Sequence, residues 1–117
     1  MGRSQRDKGK AGEREFSKMF AAETGLTCRR TQQFAGRDGT SDVMVAELPD
    51  LHIEVKYGAR PPILSAMRQA VTDKRSEQLP LVASRQVSLT ERGREWLVTC
   101  RLGDLVEIAR QLTEAVK

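Results

Sequence analysis

The sequence predicts an α/β domain: a mixed central β-sheet flanked by helices, in the order α-β-β-β-α-β-β-α. Three observations carry this. Stretches with helical spacing at 10–24 and 61–74 bracket two short apolar runs that meet at Pro49-Asp50, and a third helical stretch closes the chain. A length of 117 residues is one ordinary domain. A composition of 38% hydrophobic residues with 9 glycines is globular and excludes a wholly disordered chain.

Residues 1–9 are polar, with Arg3, Arg6 and Lys8 against Asp7, and read as a flexible basic arm ahead of one domain at 10–117. From Lys10 to Thr24, Phe16, Met19, Phe20 and Glu23 recur at helical spacing, and Gly25 stands where a C-terminal cap is expected. Glu13, three residues before Phe16, lies on the edge of that stripe and points toward the body of the protein. Cys28 to Phe34 reads as a strand carrying Arg29 and Arg30, followed by a glycine-rich loop, Ala35 to Thr40. Asp42–Leu48 and Leu51–Tyr57 read as a hairpin turned at Pro49-Asp50.

Pro61-Pro62 opens a helix to about Lys74, with Ile63, Met67, Ala70 and Val71 on one side. Leu79–Ser84 and Glu95–Cys100 are further strands around a polar turn at Thr90–Gly93. The last helix runs from Asp104 to Val116 with Leu105, Ile108, Ala109 and Leu112 along one face, and Asp104 and Glu107 have capping-box spacing.

No run approaches the ~18 apolar residues a membrane span needs. No apolar segment follows Met1-Gly2-Arg3, so the expected setting is soluble and cytoplasmic. Cys28 and Cys100 stand far apart, with no second Cys or His near either, which predicts free thiols rather than a zinc knuckle or dithiol motif. No phosphate-binding loop ending in Lys-Ser/Thr is present, and the Gly36–Gly39 loop lacks a strand-to-helix setting, so no nucleotide cofactor is expected.

Net charge is +4, unevenly spread. Residues 1–37 hold 9 Lys and Arg against 4 Asp and Glu, whereas residues 38–56 hold Lys56 against Asp38, Asp42, Glu47, Asp50 and Glu54. An acidic island in a basic chain suits a protein that grips a polyanion and holds a cation at one spot; a solvated acidic loop has the same composition.

The chemistry concentrates in the hairpin. Side chains alternate along a strand, so Leu51, Ile53, Val55 and Tyr57 face the core, while His52, Glu54 and Lys56 share the other face. Folding at Pro49-Asp50 brings Asp42 to within about 5–8 Å of Glu54 and Lys56. Two carboxylates and a lysine beside strand carbonyls suit Mg²⁺, which needs one or two carboxylates plus waters and phosphate. The competing reading is a surface hairpin whose Glu54 and Lys56 form an ordinary ion pair. His52, the one histidine, reads as structural, and Trp96 as core or interface.

Ser41-Asp42-Val43, ten intervening residues, then Glu54-Val55-Lys56 resembles the signature of the PD-(D/E)XK nucleases, with Ser41 where that signature has proline. Gly9-Lys10-Ala11-Gly12-Glu13-Arg14-Glu15-Phe16 is similar to the first-helix motif of their Holliday junction resolvase-like branch, in particular the small endonucleases of phages and prophages. The loop at Gly36–Thr40 and the strands around Pro80-Leu81-Val82 and Trp96-Leu97-Val98 also fit, so the likeness spans about residues 8 to 105.

The resemblance implies a restriction-endonuclease-like core and a Mg²⁺-dependent endonuclease (Mn²⁺ as substitute) hydrolysing DNA in a bacterial, prophage or phage-infected cytoplasm. It makes Asp42, Glu54 and the Val55 carbonyl the metal ligands. Glu13 would act on the metal directly or through water, Lys56 would position or help activate the attacking water, and Gln69 would match a glutamine sometimes found near such sites. Arg29, Arg30 and Arg37 are candidate phosphate contacts that carry no sequence readout. Symmetric cutting of a four-way junction implies a homodimer, meeting through the last helix or the Trp96 strand. The alternatives are a nicking or restriction-like enzyme on ordinary duplex, and a basic DNA-binding module without catalysis.

Overall fold

A computed structural model describes residues 3–31, 41–87 and 95–116, with side chains from Asp7 onward. It is α/β. Helix α1 (Arg3–Thr24) leads into strands β1 (Cys28–Arg30), β2 (Val43–Val45) and β3 (Leu51–Gly58). Helix α2 (Ile63–Asp73), strands β4 (Leu79–Gln86) and β5 (Leu97–Cys100), a single 3-10 turn (Leu102–Asp104) and helix α3 (Leu105–Ala115) follow. The sheet order is β1-β2-β3-β4-β5. Only β3 and β4 run parallel; the other neighbours are antiparallel. The parallel pair needs a crossover, and α2 provides it.

The element order is the one expected, with local corrections. Helix α1 starts at Arg3, so residues read as an arm form its first turns; that stretch contains no proline, and its one interior glycine, Gly9, costs only about 1 kcal/mol. At its other end Gly25 takes φ +74° and donates its N–H to the Ala21 carbonyl at 2.8 Å, the left-handed cap its position suggested. Strand β2 stops at Val45 rather than Leu48, because the chain turns there: Leu48 N–H bonds back to the Val45 carbonyl, and Glu47 accepts from the backbone and hydroxyl of Thr27.

Asp104 does not form the capping box; its carboxylate accepts from Arg101 at 2.8 Å, while Glu107 pairs with Arg110. The far end of the first strand (to Phe34), the Gly36–Thr40 loop and the Thr90–Gly93 turn lie outside the described residues.

One face of the sheet carries the main core. Phe16, Val43, Val45, Ile53, Val55, Leu81, Ala83 and Ile108 cluster there, joined by the partly buried Phe20, Trp96 and Leu112. Helix α2 buries Ala66 and Ala70 and packs on β3 and β4 from the other face. β3 is therefore covered on both sides, which is why Leu51 to Val55 are all buried, His52 and Glu54 among them. Trp96 is half-buried against the core. It packs on Phe16 and Tyr57, and its indole N–H donates to Glu15, as does Arg85. Both cysteines are free thiols, and burial pushes that of Cys28 up. Among the described residues no helix is long and apolar enough to cross a membrane.

Candidate functional site

The hairpin register determines what meets what. Val43 stands opposite Ile53, and Asp42 donates its backbone N–H to the Ile53 carbonyl at 3.0 Å. One step further, the Asp42 side chain replaces the ladder: the Val55 N–H donates to Asp42 Oδ2 at 2.8 Å. Alternate residues of a strand point both backbone groups to the same neighbour. The Val55 carbonyl therefore faces the same edge as Asp42, beyond the end of β2. Ahead of it, the Ser41 hydroxyl donates to the Val43 carbonyl at 2.8 Å.

Glu54 lies beside Asp42 on the face covered by α2, only 2% exposed. Burial and the neighbouring Glu54 charge push the Asp42 carboxyl from its ordinary 3.8 up to about 8, with a smaller contribution from Glu13; the Val55 N–H opposes the shift. Without a cation, one proton is held where two carboxylates meet. Lys56 follows on the same face, half-buried, with no ion pair or hydrogen bond among the described residues. The surface ion pair between Glu54 and Lys56 does not form, because α2 covers Glu54 and a nearer partner takes it. That partner is His52, 1% exposed, whose Nε2 lies 2.8 Å from Glu54 Oε1. Sequence reasoning set His52 aside; its place two residues before Glu54, on the same face, was the available signal.

Glu13 comes from α1, where Gly12 lets the helix approach Tyr57 closely. Its Oε1 accepts from Arg30 Nε at 3.0 Å, so Arg30 is committed to Glu13 rather than left free for a phosphate. The reason is strand alternation: Arg30 points toward α1, whereas Arg29 points away and stays exposed, donating to the Met44 sulfur at 3.8 Å. Gln69 is exposed on α2, with no hydrogen bond among the described residues. Arg37 lies outside the described residues.

Among the described residues no three Asp, Glu, His or Cys side chains form a complete metal-binding cluster. That set is too thin for structural zinc, which takes four N or S ligands, or for calcium, which takes six to eight oxygens. Two crowded carboxylates and a free carbonyl edge do fit Mg²⁺, which keeps several waters. The charge crowding at Asp42 is what a dication would relieve.

Comparison with protein-family models, curated proteins and solved structures finds no match.

Proposed function

We propose that this chain is a Mg²⁺-dependent DNA endonuclease of the PD-(D/E)XK type, acting on branched DNA. The observation that carries the reading is the Asp42 carboxylate bonded into the edge of β3 at Val55, beside the buried Glu54. Two neighbouring carboxylates and the Val55 carbonyl on the same strand edge support the reading. Those three groups would hold the ion, which when bound supplies polarisation of the phosphodiester and a lowered pKa for water.

Lys56, unpaired among the described residues, orients the attacking water and balances charge growing on the phosphate. Glu13, held by Arg30, adds negative charge near Asp42 from the α1 side. Arg29 is an exposed cation that would meet the DNA backbone. Cutting both strands of a junction needs two such sites. We place the second copy at the edge strand β5 and the chain that follows it, where Leu97, Val98, Leu102 and Val106 are exposed, because the inner face of α3 is already spent on the core through Ile108.

The test is cleavage of a labelled four-way junction and its matching linear duplex, with Mg²⁺ or EDTA, by wild type and Glu54→Gln. The expected result is junction cutting with metal only, lost by at least about 100-fold in the variant, which still binds DNA. Equal cutting of both substrates removes the branch preference. No cutting by a folded, DNA-binding wild type overturns the enzyme.

A further inference from the structure

We propose that His52 is a positioning residue for Glu54, holding that carboxylate to one free oxygen and so tuning the site for a small octahedral cation over Ca²⁺. The inference rests on the metal site proposed above and assigns to it a residue outside the signature.

Strand alternation puts His52 and Glu54 on the face of β3 that α2 covers, and both are nearly inaccessible, at 1% and 2% exposure. His52 Nε2 lies 2.8 Å from Glu54 Oε1. With Glu54 as the acceptor of this contact, the imidazole donates from Nε2. A buried side chain without a partner is costly, and each of these two supplies the other's. The bond does more than satisfy burial. It engages Oε1 and fixes the carboxylate plane, so that a cation meets Oε2 as the oxygen not already bonded to His52. Ca²⁺ accepts a bidentate carboxylate at 6–8-fold coordination, whereas Mg²⁺ and Mn²⁺ prefer single oxygens in near-octahedral array. A Glu54 restricted to one oxygen favours the second kind. Groups that hold a metal ligand from behind in this way typically change affinity by about 10–100-fold when removed.

The test uses Mn²⁺ and Ca²⁺ as probes, with binding read by titration calorimetry on the full chain. His52→Gln places an amide N–H where Nε2 stood, whereas His52→Asn ends about where Nδ1 stood and cannot reach Glu54. Both are polar and neither overfills the site, so burial alone does not separate them. The expected result is Mn²⁺ binding weakened about 10-fold or more in the asparagine variant, a smaller change for Ca²⁺, and recovery to within about 3-fold in the glutamine variant. Equal Mn²⁺ affinity in both variants, or an unchanged preference for Mn²⁺ over Ca²⁺, overturns the inference.

A second readout needs no metal. His52 is the only histidine, so its ring nitrogens give one set of NMR signals, and a proton on Nε2 is expected. A metal-free protein protonated on Nδ1 alone overturns the positioning role even if the metal binds. A wild type with the Nε2 proton in place that binds neither ion overturns the metal site, and the inference with it.

Discussion

Gly12→Ala and Gly9→Ala make the same substitution in the same helix, and the structure gives them opposite signs. Alanine is favoured over glycine in a helix by about 1 kcal/mol. A Cβ at Gly9 meets nothing within 4 Å, so Gly9→Ala receives that gain alone. A Cβ at Gly12 would stand 2.6 Å from Tyr57 Cβ and 2.9 Å from its Cγ. Carbons pack at about 3.5–4.0 Å, so α1 must retreat by roughly 1 Å. Tyr57 cannot swing away, since the crowded atoms are at the root of its side chain.

A gap of that size forfeits about a quarter to a half of each contact along the interface, including those of the buried Phe16. Overpacking of this kind costs about 1–3 kcal/mol. With the contact at its tight extreme, the net effect is about 2 kcal/mol destabilising. For a domain of this size 1 kcal/mol moves Tm by about 4 °C. Thermal unfolding followed by circular dichroism should therefore show Gly12→Ala about 8 °C below wild type and Gly9→Ala about 4 °C above it. If Gly12→Ala melts at or above wild type, the close approach of α1 to β3 is wrong, and with it the placement of Glu13.

The remaining expectations concern charge and assembly. The Asp42 carboxyl, raised to about 8 by burial and Glu54, holds a proton in the fold that the unfolded chain releases near 3.8. Its contribution to stability is full below that lower value and is lost as pH rises through about 8. Asp42→Asn has no such dependence, so without divalent ions its stability advantage over wild type should grow across that range and then level off in urea unfolding. A constant difference refutes the crowding. Millimolar Mg²⁺ should stabilise wild type at the alkaline end and leave Asp42→Asn unaffected.

Arg30→Gln leaves the partly buried Glu13 without its partner and should cost about 1–3 kcal/mol. Adding Glu13→Gln should return part of that loss, and single-variant effects that add within about 0.5 kcal/mol show that the pair is not coupled. Val106 is 82% exposed, so Val106→Asp should leave the Tm of a single copy unchanged while shifting sedimentation from dimer to monomer. A wild type that sediments as a monomer at all concentrations removes the proposed second copy.

Much of this protein was readable in order along the chain. The spacing of Phe16 and Phe20, the cap at Gly25, the turn at Pro49-Asp50 and the alternation from Leu51 to Tyr57 are local signals, set by residues a few positions apart. They bring Asp42 near Glu54 and Lys56, but a turn confined to Pro49-Asp50 would set Asp42 opposite Tyr57; the register with Val43 opposite Ile53 arises because the chain already turns after Val45. Element ends were less legible. Glu47 reaching to Thr27 and Arg101 reaching to Asp104 decided where β2 stops and how α3 begins, and such bonds compete closely with the local patterns.

The character of the site was decided in three dimensions. Whether the face bearing His52 and Glu54 meets water or protein depends on where α2 lands after the crossover, and its small residues Ala66 and Ala70 let it lie close enough to bury both. That burial turns a surface ion pair into a His52–Glu54 bond and raises the Asp42 carboxyl. Arg30 was drawn from a presumed DNA contact to Glu13 for the same kind of reason: its partner is 17 residues away in sequence, brought near by the approach of α1 to the sheet. Periodicity reports which side chains share a face. What covers that face depends on long-range packing, and the low dielectric it creates governs the charges there.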